Sequence, residues 1–373
     1  MRKYLVPITV TLLIIGVVVL LLRQNINSKK DTSGSSKKKA IPLSYIQQAE
    51  SIISWLDTER IEENKTYAER QACDTKGNCR KLYKDHRLGA LVIWAEAELY
   101  KKTKNETLRE RMNNDMDIYL DPKKVLTIQP YLWHCRFLLD MADDPLWLPE
   151  KDKLNKLCDR GRYGVITRQF SSKTEQTIQE IIANLSQGKE PLLYADGFHY
   201  NPKLLTNFAT QTSEFAAMYL YEPKKNFYED AFVMYLTALE EYAENKKSGA
   251  DLSMQAPYLT VATIDMYRMT SDKRYLGFAE ILFKNHIDTK PCDDPKSCVL
   301  SMFAYRQMHA IEKKPETLDK QKERASYMYD NYFDREGIEG YVTGRGSVRF
   351  LQDGWMVYDT ATNALLAGLL VAL

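Results

Sequence analysis

Apolar and polar positions divide the chain into three stretches. Behind Met1-Arg2-Lys3, the run Tyr4 to Leu22 is apolar and is interrupted only by Pro7, Thr9, Thr11 and Gly16. About 19 residues, each rising ~1.5 Å, nearly match a bilayer core of ~30 Å, so residues 1–22 are expected to form a single transmembrane helix. Residues 23–40 are polar, rich in Ser and Lys and without an apolar period, which predicts a flexible tether. From residue 41 to 373 apolar positions recur every three to four residues. This predicts helices over Leu43–Thr58, Leu88–Lys102, Thr107–Tyr119, Pro130–Met141, Lys151–Arg160 and Lys173–Ser186, then over Pro202–Tyr221, Asn226–Asn245 and Ser253–Met269. Lys273–His286, Cys298–Glu312, Pro315–Tyr332 and Ala361–Leu373 continue the pattern. No segment gives a run of paired period-two strands, and extended pieces are expected only near Ile338–Arg349, where glycines cluster.

A weak repeat runs through the helices. Leu99-Tyr100, Leu220-Tyr221 and Met266-Tyr267 each end one helix, and five residues after the Tyr stand Asn105, Asn226 and Asp272, expected as N-caps of the next helix. The units read as antiparallel hairpins, about six of them of about 55 residues each, which must stack on neighbours to bury their apolar faces.

The stretch Gln255-Ala-Pro-Tyr258 through Ala279-Glu280 resembles a hairpin of the (α/α)6 toroid proteins, the six-hairpin glycosidase-like superfamily. The closing Asp359-Thr-Ala-Thr-Asn-Ala-Leu-Leu-Ala-Gly-Leu-Leu resembles the last inner helix of that fold. The likeness is one of repeat style and includes no family's catalytic signature. It implies an all-α toroid of helical hairpins over residues 41–373, with a cleft where the inner helices begin. Ala361–Leu373, apolar on nearly every side, is expected to be buried all round and to close the ring.

The anchor has a rival reading as a signal peptide, but its apolar core is long and Leu20-Leu21-Leu22-Arg23-Gln24 has no small-x-small cleavage site. More Lys and Arg follow the span than precede it, which by the positive-inside rule places the large domain in the cytoplasm. The cysteines point the other way. Cys73 and Cys79, and Cys292 and Cys298, bracket two similar polar loops suited to local disulfides, and Cys135 and Cys158 could join two helices. Free thiols are the alternative; zinc is disfavoured by the spacing. Asn64, Asn105 and Asn184 lie in N-x-S/T sequons. On balance the soluble domain of this single-pass membrane protein is expected outside the cytoplasm.

Charge narrows the partners. The net charge is +2, from 52 basic and 50 acidic residues, so nucleic acid is not expected as a partner. Tyr is frequent, at 24 residues, and its amphipathic ring suits sugar surfaces as well as helix packing. No cofactor and no metal are expected: none of the five histidines has metal-binding spacing.

Candidate chemistry falls in segments that precede inner helices. Asp85 and His86, Trp133, the group Asp196, His199 and Tyr200, then Tyr258 and Trp355 are expected to line one cleft. Asp196 and Asp359 are the acid/base candidates, with Trp133, Tyr258 and Trp355 as ring platforms. Each carboxylate also has a plain alternative, turn chemistry at Asp196-Gly197 and an N-cap at Asp359. The expected activity is glycosidase-like action on, or binding of, polysaccharide. The alternative is a non-catalytic helical-repeat module that holds a cell-envelope protein or glycan.

Overall fold

The computed structural model describes residues 43–61, 66–74, 76, 78–85, 88–120, 136–137, 170–189, 202–289, 292, 294–334, 347–352 and 355–373. Helix α1 (Tyr45–Glu59) is followed by a hairpin, β2 (Thr66–Cys73) with β3 (Cys79–Asp85), after a short strand β1 (Arg60–Ile61). Then come α2 (Leu88–Thr103), α3 (Glu106–Leu120), α4 (Thr174–Ser186), α5 (Pro202–Tyr221), α6 (Lys225–Lys247) and α7 (Ala256–Thr270). The chain continues through α8 (Lys273–Leu282), α9 (Pro295–Glu312), α10 (Pro315–Asn331), β4 (Phe350–Gln352), β5 (Trp355–Asp359) and α11 (Thr360–Leu370).

Local chemistry sets the helix ends. Ser44 and Gln47 form a reciprocal capping box on α1. Asp272 and Asp294 cap α8 and α9 through their side chains. The hairpin signal holds at two of its three positions. Asn105 accepts a hydrogen bond from the Thr107 amide and Asp272 accepts one from the Arg274 amide. Asn226 does not cap, because α6 starts one residue earlier, with Lys224 at the cap position. Helix α8 ends in one π-helical turn, Phe283–Ile287, where His286 hydrogen-bonds the Tyr242 hydroxyl at 2.8 Å.

Helices α7, α9, α11 and α2 follow one another side by side, and α11 also packs on α1. The last described helix thus returns to the first. Every residue of α11 except Ala361 is buried, as its apolar sequence demands. Gly368 permits this closure, since a Cβ there would lie 2.2 Å from Trp94 Cζ3. Between α7, α9 and the helical pair 136–137, Arg136 and Asp265 form a buried bidentate ion pair at 2.9 and 3.0 Å. Gln307 completes it by accepting from the same guanidinium.

The antiparallel sheet corrects the sequence reading. Its order is β1-β2-β5-β4, with β3 on the other side of β2. Strand β2 reads Thr-Tyr-Ala-Glu-Arg-Gln-Ala-Cys, with no alternation of large apolar residues. Its burial comes from small residues, Ala68 and Ala72, and from Tyr67 and Gln71. Cys73 and Cys79 face each other at the end of the hairpin and are disulfide-bonded; Cys292 and Cys298 form a second disulfide. Cys135 and Cys158 lie outside the described residues, as do the expected anchor and tether. Among the described residues no helix is long and apolar enough to cross a membrane.

Candidate functional site

The first turns of four helices meet at one end of the bundle. Leu91 of α2, Tyr258 of α7, Lys296 and Val299 of α9, and Ala361 and Thr362 of α11 surround an apolar pit. Its open core is about 20 Å³, room for about one water. The pit is therefore a floor, too small to hold a sugar ring. Tyr258 is only 3% exposed and forms part of that floor.

Asp359 sits at this end, at the junction of β5 and α11. Its Oδ1 accepts from the Thr362 amide at 2.8 Å and from the Thr362 hydroxyl at 2.7 Å. The N-cap alternative is thus present in the structure. Its Oδ2 lies 3.6 Å from Nε of Arg70, the residue opposite it in the β2–β5 register. Asn363 fixes the same junction: it donates to the carbonyls of Asp359 and Val348 and accepts from the Val348 amide.

Strand periodicity decides which neighbours share a face with Asp359. Trp355 lies four residues back along β5, on the same face. The Arg80 guanidinium packs 4.7 Å from the Trp355 ring centroid. That geometry is a cation–π contact. One sheet face therefore carries a carboxylate, two guanidinium groups and an indole. Tyr358 points the other way, into the core, 5.9 Å from Trp55 and hydrogen-bonded to Asp334 at 3.0 Å. Burial pushes its hydroxyl pKa well above the usual range; Asp334 adds to the shift and Arg349 opposes it.

Of the residues singled out from sequence, the structure places Tyr258, Trp355 and Asp359 at this end of the bundle. Asp85 closes β3, paired with Tyr67 in the register. His86, Trp133, Asp196, His199 and Tyr200 lie outside the described residues. Arg70, Arg80, Lys296 and Thr362 were not legible as site residues. The two arginines flank the Cys73–Cys79 loop, and reading that loop as a hairpin would have put them on adjacent strands. Among the described residues no group of three or more His, Cys, Asp or Glu could hold a metal ion.

No protein family and no curated protein matches the chain by sequence. Solved structures do match it by shape. A GH76 α-mannanase of Bacteroides thetaiotaomicron superposes with a TM-score of 0.53 at 13% identity, over 88% of this chain and 95% of that one. An unsaturated glucuronyl hydrolase specific for heparin gives 0.55 at 9% identity, over 87% and 96%. A cellobiose 2-epimerase of Bacillus thermoamylovorans gives 0.51 at 11% identity, over 88% and 99%. The chain has the (α/α)6 six-hairpin glycosidase-like fold. Identities this low establish the fold and nothing finer. In the six-hairpin toroid the ring closure by α11 and the meeting of inner-helix starts are one feature. Asp359 and Trp355 stand at the end of the bundle where the first turns of α2, α7, α9 and α11 meet.

Proposed function

We propose that this protein is a membrane-anchored, extracytoplasmic domain that acts on polysaccharide by glycosidase-like hydrolysis at the rim above the Tyr258 pit. The observation that carries the reading is the position of Asp359: a carboxylate at the start of an inner helix of a six-hairpin toroid, on one sheet face with Trp355. The fold neighbours named above are carbohydrate enzymes, which supports the substrate class. Asp196 is the second carboxylate. One acid protonates the glycosidic oxygen while the other activates water or attacks the anomeric carbon. Trp355 supplies a ring platform, and Arg70 orients Asp359. His86, Trp133, His199 and Tyr200 are assigned to the walls of the same cleft. Residues 1–22 anchor the domain, and the disulfides Cys73–Cys79 and Cys292–Cys298 support an oxidising compartment.

A second reading has a specific observation behind it. Asp359 Oδ1 already serves as a helix cap, as it would in a non-catalytic module that binds a cell-envelope glycan or protein. Substitution separates the two. In an enzyme, Asp359→Asn abolishes turnover of a responsive glycan and spares binding. In a binding module it costs ~1 kcal/mol of stability or less and leaves glycan behaviour unchanged.

A further inference from the structure

At the Asp359 end of the bundle, the carboxylates are engaged and two of the cations are not. Asp359 accepts from the Thr362 amide and faces Arg70. Asp294, the cap of α9, accepts from the Ser297 amide. Asp74, in the β2–β3 loop beside Trp355, accepts from the Lys76 and Asn78 amides. By contrast, among the described residues the Arg80 guanidinium and the Lys296 ammonium have no acceptor.

Both cations are placed where an anion is favoured. Arg80 is exposed, and its guanidinium is held on the Trp355 ring, 4.7 Å from the centroid. A guanidinium steadied in this way gives up little further freedom on binding, and its planar fork of N–H donors matches a carboxylate or sulfate with two parallel bonds. Lys296 stands half-buried in the first turn of α9, lining the pit beside Thr362. The helix dipole opposes a cation in a first turn, so an anion there relieves a standing repulsion.

The spacing separates these contacts from the reacting bond. Arg80 lies opposite Ala72, and Ala72 opposite Val357, so Arg80 shares the sheet face of Asp359. Trp355 is four residues from Asp359 along β5, roughly 13 Å at ~3.3 Å per residue. Arg80 therefore meets a different sugar from the one at Asp359.

We propose that this rim selects polysaccharide carrying an anionic substituent, a carboxylate or a sulfate, with Arg80 on Trp355 as the charge-reading subsite and Lys296 as a second contact. The inference rests on the rim being the glycan site, and it names the class of polymer that the site takes.

The test is retention of the full-length protein, in neutral detergent at about 0.15 M salt, on immobilised polygalacturonate, heparin, α-mannan and β-glucan. Polygalacturonate carries carboxylates alone and heparin carries sulfates as well, so the two separate the anions. At least one of them should retain the protein better than either neutral polymer does. Arg80→Gln, at an exposed position that should fold normally, should weaken that retention about tenfold. Arg80→Lys keeps the charge without the fork and should weaken it about threefold, as should Lys296→Gln. Lys225→Gln removes a charge from an exposed site on α6 and should change nothing. Three results each overturn the proposal: retention by a neutral polymer equal to that by both anionic ones, retention on the anionic polymer that Arg80→Gln leaves unchanged, or a loss in Lys225→Gln as large as in Arg80→Gln. None of these touches hydrolysis at Asp359, which is read separately as new reducing ends. Absence of retention by every polymer ends both readings.

Discussion

Trp94 lies so close to Gly368 that a methyl group on the glycine would come within 2.2 Å of the indole. The contact joins the last helix to the second and so closes the ring. Arg306 stabilises the junction by donating to the Gly368 carbonyl at 3.2 Å and to Glu98 at 2.7 Å, with its guanidinium 5.2 Å from the Trp94 ring centroid. Two effects of Gly368→Ala oppose each other. Helix propensity alone would stabilise by ~1 kcal/mol. Overpacking against a buried Trp costs ~1–3 kcal/mol or more. The overlap is with rigid ring atoms, so packing should win. Denaturant unfolding should show Gly368→Ala less stable by ~1–2 kcal/mol, and a variant as stable as the parent would contradict the closure.

The buried Arg136–Asp265 pair makes a sharper prediction. Side-chain exposure is 1% for Arg136 and 3% for Asp265, so neither charge has bulk solvent to fall back on. Arg136→Met should cost ~3–5 kcal/mol, because it leaves a carboxylate stranded in the bundle with, among the described residues, only Arg268, at 3.4 Å, still near. The double variant Arg136→Met, Asp265→Leu should recover much of that loss. A double variant no better than the single would show that the pair is not the cause.

Stability should fall between mildly acidic and mildly basic pH. Burial pushes the Glu96 carboxyl from 4.5 up to about 8; Arg111, at 2.6 Å, opposes the shift, and Asp115 and Asp57 add to it. The folded state therefore keeps a proton that the unfolded chain has lost. The associated stability is complete below about pH 4.5 and is lost as pH rises through about 8. Glu59 is raised by burial too and acts in the same direction. Unfolding midpoints measured at pH 5 and pH 8.5 should differ less for Glu96→Gln than for the parent. An equal pH dependence in both would remove Glu96 from the account.

Non-reducing peptide mapping of protein from its native compartment should recover the Cys73–Cys79 and Cys292–Cys298 links, and the expected Cys135–Cys158 link with them. Each short loop is worth roughly 2 kcal/mol of cross-link stabilisation. Six alkylatable thiols would contradict both the bridges and the extracytoplasmic placement.

Most helices among the described residues were legible because long amphipathic periods and caps such as Asp272 leave strong local signals; the start of α9 at Pro295, capped by Asp294, was placed three residues late at Cys298. The sheet was not legible. Strand β2 gains its stability from Ala68, Ala72 and Thr360, whose hydroxyl donates to the Ala68 carbonyl at 2.6 Å, and such contacts are set by tertiary packing. The apolar pattern of α11 did predict its burial. The candidate site was only partly readable. Asp359 and Trp355 stand out by residue type, but the Arg70–Asp359 pairing joins residues far apart in the sequence and follows from a strand register that no local period encodes.

Hydrolysis at the Asp359 rim carries the proposed function. The most direct measurement is release of new reducing ends from a panel of neutral and acidic polysaccharides by the full-length protein, its Asp196→Asn variant and its Asp359→Asn variant. Release from at least one polymer by the parent is expected, with turnover lost and binding retained in both variants. Release that persists undiminished in Asp359→Asn, or no release from any polymer by correctly folded protein, would contradict it.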